Sequence, residues 1–316
     1  MCKNIKNIIY CKNIMNNIHV ISVISNPCEY NVRWKLMNEF IERMQQTENI
    51  ILYIVEMVYK NQDFTITNSN NKNHLQLRCE HILWHKENMI NLGVKQLLPY
   101  DWKYMAWIDG DIEFLNENWV NDTIKELQKN DIVQLFETCD DLDKNMIPMY
   151  IHKSFGEQWN KSDKHKKALQ KELIQPDHPG YAWACTREFY DKIGGIYDRS
   201  IIGYGDRIIA YAIIQSFKNM YYDELENANN DALEYMKKFI GVRFGYIKGK
   251  ILHHFHGKKE NRQYDKRKFI MREHKFDPYT QIKYNDEGII VPTDKMNNSF
   301  IEELIEFFKQ RKEDNI

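Results

Sequence analysis

His19-Val-Ile-Ser-Val-Ile-Ser25 is short, β-branched and almost continuously apolar. That is the pattern of a strand buried on both faces, as in a parallel sheet. Asn26-Pro27 ends it. From Arg33 to Met44, the residues Trp34, Met37, Phe40, Ile41 and Met44 recur at helical spacing. Ile50 to Val55 repeats the strand pattern. Phe64-Thr-Ile-Thr67 is a third short strand candidate, followed by a polar turn over 68–73. His81 to Leu92 predicts a helix, with Ile82, Leu83, Met89 and Ile90 on one side and Gly93 as its stop. Tyr104-Met-Ala-Trp-Ile108 is another buried strand, Asn118 to Gln128 a helix and Ile132 to Phe136 a strand. The order β-α-β-β-α-β-α-β predicts an α/β fold whose central, mostly parallel sheet is flanked by helices.

The pattern weakens after Phe136. Residues 140–177 have a charged middle (161–171) and predict a surface loop or a mobile insertion. Arg187 to Ile193 and Arg207 to Phe217 predict helices. Gly241 to Lys248 and Lys250 to Phe255 predict strands, and Glu260 to His274 a solvated helix. Ser299-Phe-Ile-Glu302 has the spacing of a capping box ahead of Leu304, Ile305, Phe307 and Phe308. No clean linker divides the chain. The expected organisation is an N-terminal extension over 1–18 and one domain over 19–316. Within that domain, 19–136 and 137–275 form two halves, and 276–316 is a tail with a helix.

Composition narrows the function classes. Hydrophobic residues make up 43% and charged residues 28% of the 316, an ordinary globular balance. The 44 Lys and Arg against 45 Asp and Glu leave a formal charge of -1, so no general basic field exists and nucleic acid is not an expected partner. No apolar run approaches the roughly 20 residues of a spanning helix. The cysteines Cys2, Cys11, Cys28, Cys79, Cys139 and Cys185 are scattered without metal-binding spacing, which predicts reduced thiols and a cytoplasmic protein. Heavy use of Asn, Lys and Ile fits AT-rich coding and suggests a viral or protist source. If it is viral, the host cytoplasm or the virion is the expected location.

Four constellations carry candidate chemistry. In Trp107-Ile-Asp109-Gly110-Asp111, two carboxylates two residues apart follow a buried strand. Ligands collect at that edge of an open parallel sheet. Carboxylates on one side of an extended segment repel unless a cation lies between them, and a hard divalent ion meets that need. The second is His253-His254-Phe255-His256-Gly257-Lys258-Lys259. On an extended segment His254 and His256 share one face and His253 takes the other, so His254 and then His256 are the candidate imidazole ligands. Mn²⁺ accepts both oxygen and nitrogen donors. The third is Gly194-Gly195 followed by Gly203-Tyr-Gly205-Asp206-Arg207, where Asp206 opens a helix and is a candidate proton acceptor. The fourth, His178-Pro179-Gly180-Tyr-Ala-Trp183, is either a pocket wall or a core strand. Arg33, Arg78 and Lys86 are cations near the presumed sheet edge.

Taken together, these residues resemble the GT-A-type (family 2-like), nucleotide-sugar-dependent glycosyltransferases. The likeness extends from about residue 19 to 275. Asp109-Gly110-Asp111 matches their DxD motif, Gly194-Gly195 through Asp206 their glycine-rich acid segment, and His254 or His256 a late histidine that returns to the metal. Many inverting members carry Glu-Asp at the acid position; here it is Gly205-Asp206, so inversion and retention both stay open. The resemblance implies a GT-A, Rossmann-like domain that moves a hexose, glucose by default, from a UDP-sugar to a hydroxyl of a glycan, protein or small molecule. It implies Mn²⁺ or Mg²⁺ on Asp109, Asp111, His254 and His256. Ser25, Asn26, Arg33, Arg78, Lys86, Trp107, Asp109, Gly110 and Lys258 are the implied nucleotide contacts. His178, Gly180, Trp183, Gly205 and Asp206 are implied at the sugar and acceptor, with Asp206 as base if the enzyme inverts and as a donor-sugar contact if it retains. The rivals are a metal-dependent phosphodiesterase or nuclease and a carbohydrate-binding protein with an inactive transferase site.

Overall fold

The computed structural model describes residues 17–216 and 220–314. The expected N-terminal extension therefore lies almost wholly outside the described residues. Seven strands form the main sheet, in spatial order β10-β6-β9-β4-β1-β2-β3. They are β1 (Ile18–Ser25), β2 (Ile50–Tyr59), β3 (His74–Cys79), β4 (Tyr104–Ile108), β6 (Ile132–Gln134), β9 (Ala182–Thr186) and β10 (Phe244–Tyr246). β1 runs parallel to β2 and β4, β2 to β3, and β6 to β10, while β9 is antiparallel to both its neighbours. The fold is α/β with a mostly parallel central sheet.

Side chains alternate between the two faces of the sheet. Ile21, Val55, Met105 and Trp107 face one apolar cluster; Ile18, Val20, Ile54, Ala106 and Ile108 face another. Helices α1 (Asn31–Gln45) and α3 (Trp119–Leu127) cover the second face through Met37, Phe40, Trp119 and Val120. The first face is covered by α2 (Lys86–Leu97), α6 (Arg187–Ile193), α7 (Gly205–Ile214) and α8 (Glu226–Lys237), with α10 (Asn298–Lys309) beyond them. No described helix is long and apolar enough to cross a membrane. Cys28, Cys79, Cys139 and Cys185 are free thiols.

A second sheet, in order β5-β11-β7-β8, sits at the carboxyl end of the first. It comprises β5 (Ile112–Phe114), β7 (Thr138–Leu142), β8 (Pro148–Lys153) and β11 (Lys250–His253). β11 pairs antiparallel with β5 and parallel with β7, with His253 opposite Ile112 on one side and Asp141 on the other. β12 (Ile282–Tyr284) and β13 (Ile290–Pro292) form a small hairpin, and α9 (Tyr264–Glu273) precedes it.

Several expectations are corrected. Phe64–Thr67 is not a strand. Glu56, buried within a β2 longer than expected, accepts the backbone N–H groups of Thr65, Ile66 and Thr67 at 2.8–3.2 Å. A loop curled around a carboxylate satisfies those donors without a ladder, and the third strand begins at His74 instead. The helix expected from His81 starts at Lys86 and runs through Gly93. A Cβ at Gly93 would lie 2.9 Å from Val55 Cγ2, so this glycine lets α2 lie close against β2 rather than stopping it. Residues 140–177 are largely built into β7, β8, α4 (Phe155–Asn160) and α5 (Asp163–Gln170). The cap of α10 is Asn297, whose side chain accepts the Phe300 N–H, and not Ser299.

Candidate functional site

β4 ends at the carboxyl edge of the sheet and runs straight into Asp109-Gly110-Asp111. Because β9 is antiparallel to β4, the segment entering β9 reaches the same edge, and the Asp109 N–H donates to Tyr181 O at 2.9 Å. The antiparallel β5–β11 pair then brings the histidine segment alongside, and His254 N–H donates to Asp111 O at 2.9 Å. These three arrivals border a cleft of about 970 Å³. Among its lining residues are Ser25, Arg33, Lys86, Asp109, Gly110, Asp111, His178, Gly180, Gly205, Asp206, His253 and His256.

Asp111, His253 and His256 each aim one ligand atom at a common point, with all three atoms within 4.8 Å of one another. His256 Nε2 lies 2.9 Å and His253 Nε2 3.7 Å from Asp111 Oδ2. The other oxygen, Asp111 Oδ1, is buried with no hydrogen-bond partner among the described residues. A buried carboxylate oxygen left without a donor is costly, and a cation relieves it. Burial alone would raise the Asp111 pKa, but His253 and His256 hold it well below the usual carboxylate range. Burial likewise opposes charge on His253, yet Asp111 and Asp141 outweigh it and raise the pKa to about 9.

His254 lies outside this cluster: its Nε2 meets Glu113 Oε2 at 3.0 Å. The alternation expected along the segment fails because β11 ends at His253 and the chain turns at Gly257, whose φ is +90°. Side chains three apart, His253 and His256, then converge. Gly257 is required there twice over, since a Cβ would also approach Glu313 Cα to 3.0 Å.

Asp109, two residues from Asp111, is held differently. Lys86 Nζ lies 2.6 Å from Asp109 and 3.5 Å from Asp206. Burial, together with Asp111 and Asp206, lifts the Asp109 pKa to about 6 against the pull of Lys86. Asp206 sits in the first turn of α7, next to Gly205, where a Cβ would run into the Glu87 carboxylate at 2.3–2.7 Å. Glu87 also lines the cleft, and burial raises its pKa to about 7, with Asp206 adding to the effect. His178 stacks on Tyr181 with ring centroids 4.1 Å apart, and burial holds its pKa down at about 3, so the ring is neutral. Gly180 lies between His178 and Asp206: a Cβ there would be 2.9 Å from His178 Cε1 and 3.6 Å from Asp206 Oδ2.

Other sequence candidates lie elsewhere. Trp107 and Trp183 stack on each other in the core, centroids 6.3 Å apart, so both are packing residues. Asn26 is buried and closes its own turn, bonding Tyr30 O and Tyr30 N–H at 2.9 Å. Arg78 is drawn to the carbonyls of Lys60 and Gln62 and to the Phe64 ring, away from the cleft. Lys258 is exposed outside the cleft lining, and its neighbour Lys259 occupies the lining instead, paired with Asp141. Arg33 does reach the cleft but is bound by Glu313 at 2.5 and 2.8 Å. Sequence reasoning missed Glu87, Asp141 and Glu313, and placed His253 on the wrong face. A carboxylate such as Asp141 or Glu313 carries no local signal, because the histidine it meets comes from a different element of the fold.

No protein-family model matches the chain, and no curated protein does. Solved structures match it only distantly. The chain is similar to TarS 1-349 of S. aureus (14% identity, TM-score 0.42, covering 75% of this chain and 60% of that one). It is similar to the mannosyltransferase PcManGT of Pyrobaculum calidifontis in complex with GDP-Man and Mn²⁺ (12%, 0.45, 80% and 62%). It is similar to a mutant Drosophila β1,4-galactosyltransferase 7 in complex with manganese, UDP-Gal and xylobiose (13%, 0.41, 88% and 94%). The chain spans about three fifths of the first two. At such scores and identities the likeness assigns no activity.

Proposed function

We propose that this chain is a metal-dependent glycosyltransferase that moves a hexose, glucose by default, from a UDP-sugar to an acceptor hydroxyl. The observation that carries the reading is the convergence of Asp111, His253 and His256 beside the orphaned Asp111 Oδ1, at the carboxyl edge of the sheet and within one cleft with Asp206. One oxygen and two nitrogen donors suit Mn²⁺ better than Mg²⁺, which prefers oxygen. The ion would be held by these three residues, with Asp109 and His254 outside the set. When bound, it supplies positive charge against the diphosphate that departs from the sugar.

The chain's own groups do the rest. Arg33 and Ser25 line the end of the cleft at β1, where a nucleoside attached to that diphosphate would lie. Lys86 pairs with both Asp109 and Asp206 within the same cleft. Asp206 accepts the proton of the attacking hydroxyl if configuration is inverted, and positions the donor sugar if it is retained. Gly180 and Gly205 let His178 and Glu87 pack close beside Asp206, and the neutral His178 offers a sugar ring a flat, uncharged face.

The test is nucleotide release from UDP-glucose, UDP-galactose and their N-acetyl forms, with Mn²⁺ and with EDTA. Cleavage of one donor that needs Mn²⁺ supports the reading and names the sugar. Cleavage of none of them, alongside hydrolysis of a phosphodiester such as bis(p-nitrophenyl) phosphate, would replace it with the phosphodiesterase.

A further inference from the structure

Both converging histidines carry a carboxylate behind them. His253 Nδ1 lies 2.9 Å from Asp141 Oδ1, while His253 Nε2 faces Asp111. His256 Nδ1 lies 3.5 Å from Glu313 Oε2, while His256 Nε2 faces Asp111. The two rings are therefore oriented alike, with Nδ1 outward on a carboxylate and Nε2 inward.

The tautomers follow from the partners. Arg262 Nη2 lies 2.9 Å from His256 Nε2. A guanidinium can donate but not accept, so Arg262 favours the tautomer with the ring proton on Nδ1 toward Glu313, while the acceptor-only Asp111 carboxylate, also 2.9 Å from Nε2, favours the opposite one; a carboxylate on Nδ1 weights the balance toward a free Nε2. An ionised Asp141 is likewise acceptor-only, so His253 Nδ1 is the donor to it. Each ring thus has a carboxylate at Nδ1 to hold a proton there and turns its Nε2 toward Asp111.

Neither carboxylate belongs to the cleft lining. Asp141 is 1% and Glu313 2% exposed. Asp141 is itself pinned by the Tyr181 hydroxyl at 2.9 Å and His152 Nε2 at 3.0 Å, and by Lys259. Glu313 is pinned by Arg33 and Arg311, each at 2.5 Å. Each reaches the cluster through its histidine. The two come from different parts of the fold: Asp141 from β7, beside β11, and Glu313 from the segment after α10 that also places Asp314 on the first N–H groups of α1.

We infer that Asp141 and Glu313 are positioning residues that fix the tautomer and the ring orientation of His253 and His256, and so set the affinity of the Asp111 cluster for a divalent ion. This rests on the metal reading above. Outer carboxylates of this kind commonly contribute 10- to 100-fold in metal affinity. Asp141 has the shorter contact and carries the larger share. Its neighbour Asp140 provides a control, since it pairs with Lys250 at 2.7 Å and not with a histidine of the cluster.

The experiment is calorimetric titration of Mn²⁺ into the full chain without nucleotide, with the EPR spectrum of bound Mn²⁺ as a second readout. Asp141→Ala is expected to weaken binding about 10- to 100-fold and to broaden the spectrum. Asp141→Asn, which keeps an oxygen to accept from Nδ1, is expected to lose less, and Glu313→Gln about tenfold or less. Asp140→Asn is expected to stay within about twofold. If thermal melting shows that Asp141→Ala does not fold, Asp141→Asn and Glu313→Gln decide. Variants that bind like wild type, or an equal loss in Asp140→Asn, overturn the inference while leaving the metal reading intact. A wild-type chain that takes up no Mn²⁺ overturns both.

Discussion

The two walls of the cleft start from carboxylates two residues apart and treat them in opposite ways. On one wall, Asp111 faces two imidazoles, keeps one buried oxygen without a partner, and is held strongly acidic. On the other, Asp109 faces the ammonium of Lys86, which also touches Asp206, and its pKa rises to about 6. Asp109 is paired with an ammonium, which has no lone pair to offer a cation. Asp111 is set among groups that can share an ion. A DxD motif read as two equal ligands thus separates into one carboxylate for a metal and one that orients a lysine.

Four outcomes would break or sharpen that contrast. The largest effect belongs to the histidine wall. Asp111→Asn should cost more than about a hundredfold in Mn²⁺ affinity and abolish donor cleavage, because it removes the anionic ligand at the centre of the cluster. Calorimetry and the release assay report it, and near-normal Mn²⁺ binding in this variant would dissolve the distinction between the walls. On the lysine wall, Asp206→Asn should lower kcat by about 10²- to 10⁴-fold while Mn²⁺ affinity stays unchanged. A parallel fall in metal affinity would place Asp206 on the wrong wall.

The third outcome concerns what anchors the lysine wall. His85, next to Lys86, is 1% exposed; its Nε2–H donates to Ile290 O at 2.8 Å and its Nδ1 accepts from the Tyr59 hydroxyl at 3.2 Å. Burial lowers its pKa to about 4. The unfolded chain takes up this proton near pH 6.5, and the folded chain not until about 4. Stability is therefore complete above pH 6.5 and falls as the pH drops toward 4, by up to about 3 kcal/mol from this group. Urea unfolding across that range checks it, and His85→Gln should flatten the slope by up to one proton. An unchanged slope in the variant would mean the ring is not buried neutral. The smallest effect is expected from His254→Ala, whose partner is Glu113: Mn²⁺ affinity should move by less than about threefold. A loss as large as that of His253→Ala would restore the alternating arrangement.

The sequence reveals most where the physics is local. β1, β2 and β4 are buried on both faces and read as continuous apolar runs, so their position and the parallel sheet follow directly. The DxD segment is visible because it directly follows one of those runs. His253 is misread because period-2 alternation holds only while a strand lasts, and β11 stops at that residue. Lys258 is chosen over Lys259 because two adjacent lysines look alike in the sequence, and only the turn at Gly257 decides which one reaches the cleft. Phe64–Thr67 looks like a strand because Ile66 is flanked by two β-branched threonines, yet Glu56 collects its N–H groups from another strand. Gly93 looks like a helix stop, but its role is set by Val55 across a helix–sheet contact. Asp141 and Glu313 are invisible, since their meaning depends entirely on where two distant elements meet.

The most direct test of the central claim is calorimetric titration of UDP into the wild-type chain and into Asp111→Asn, each with Mn²⁺ and with EDTA. The account predicts binding by wild type in Mn²⁺, and loss of that binding both in EDTA and in the variant. Equal binding of UDP in EDTA, or no binding by wild type in Mn²⁺, would contradict it.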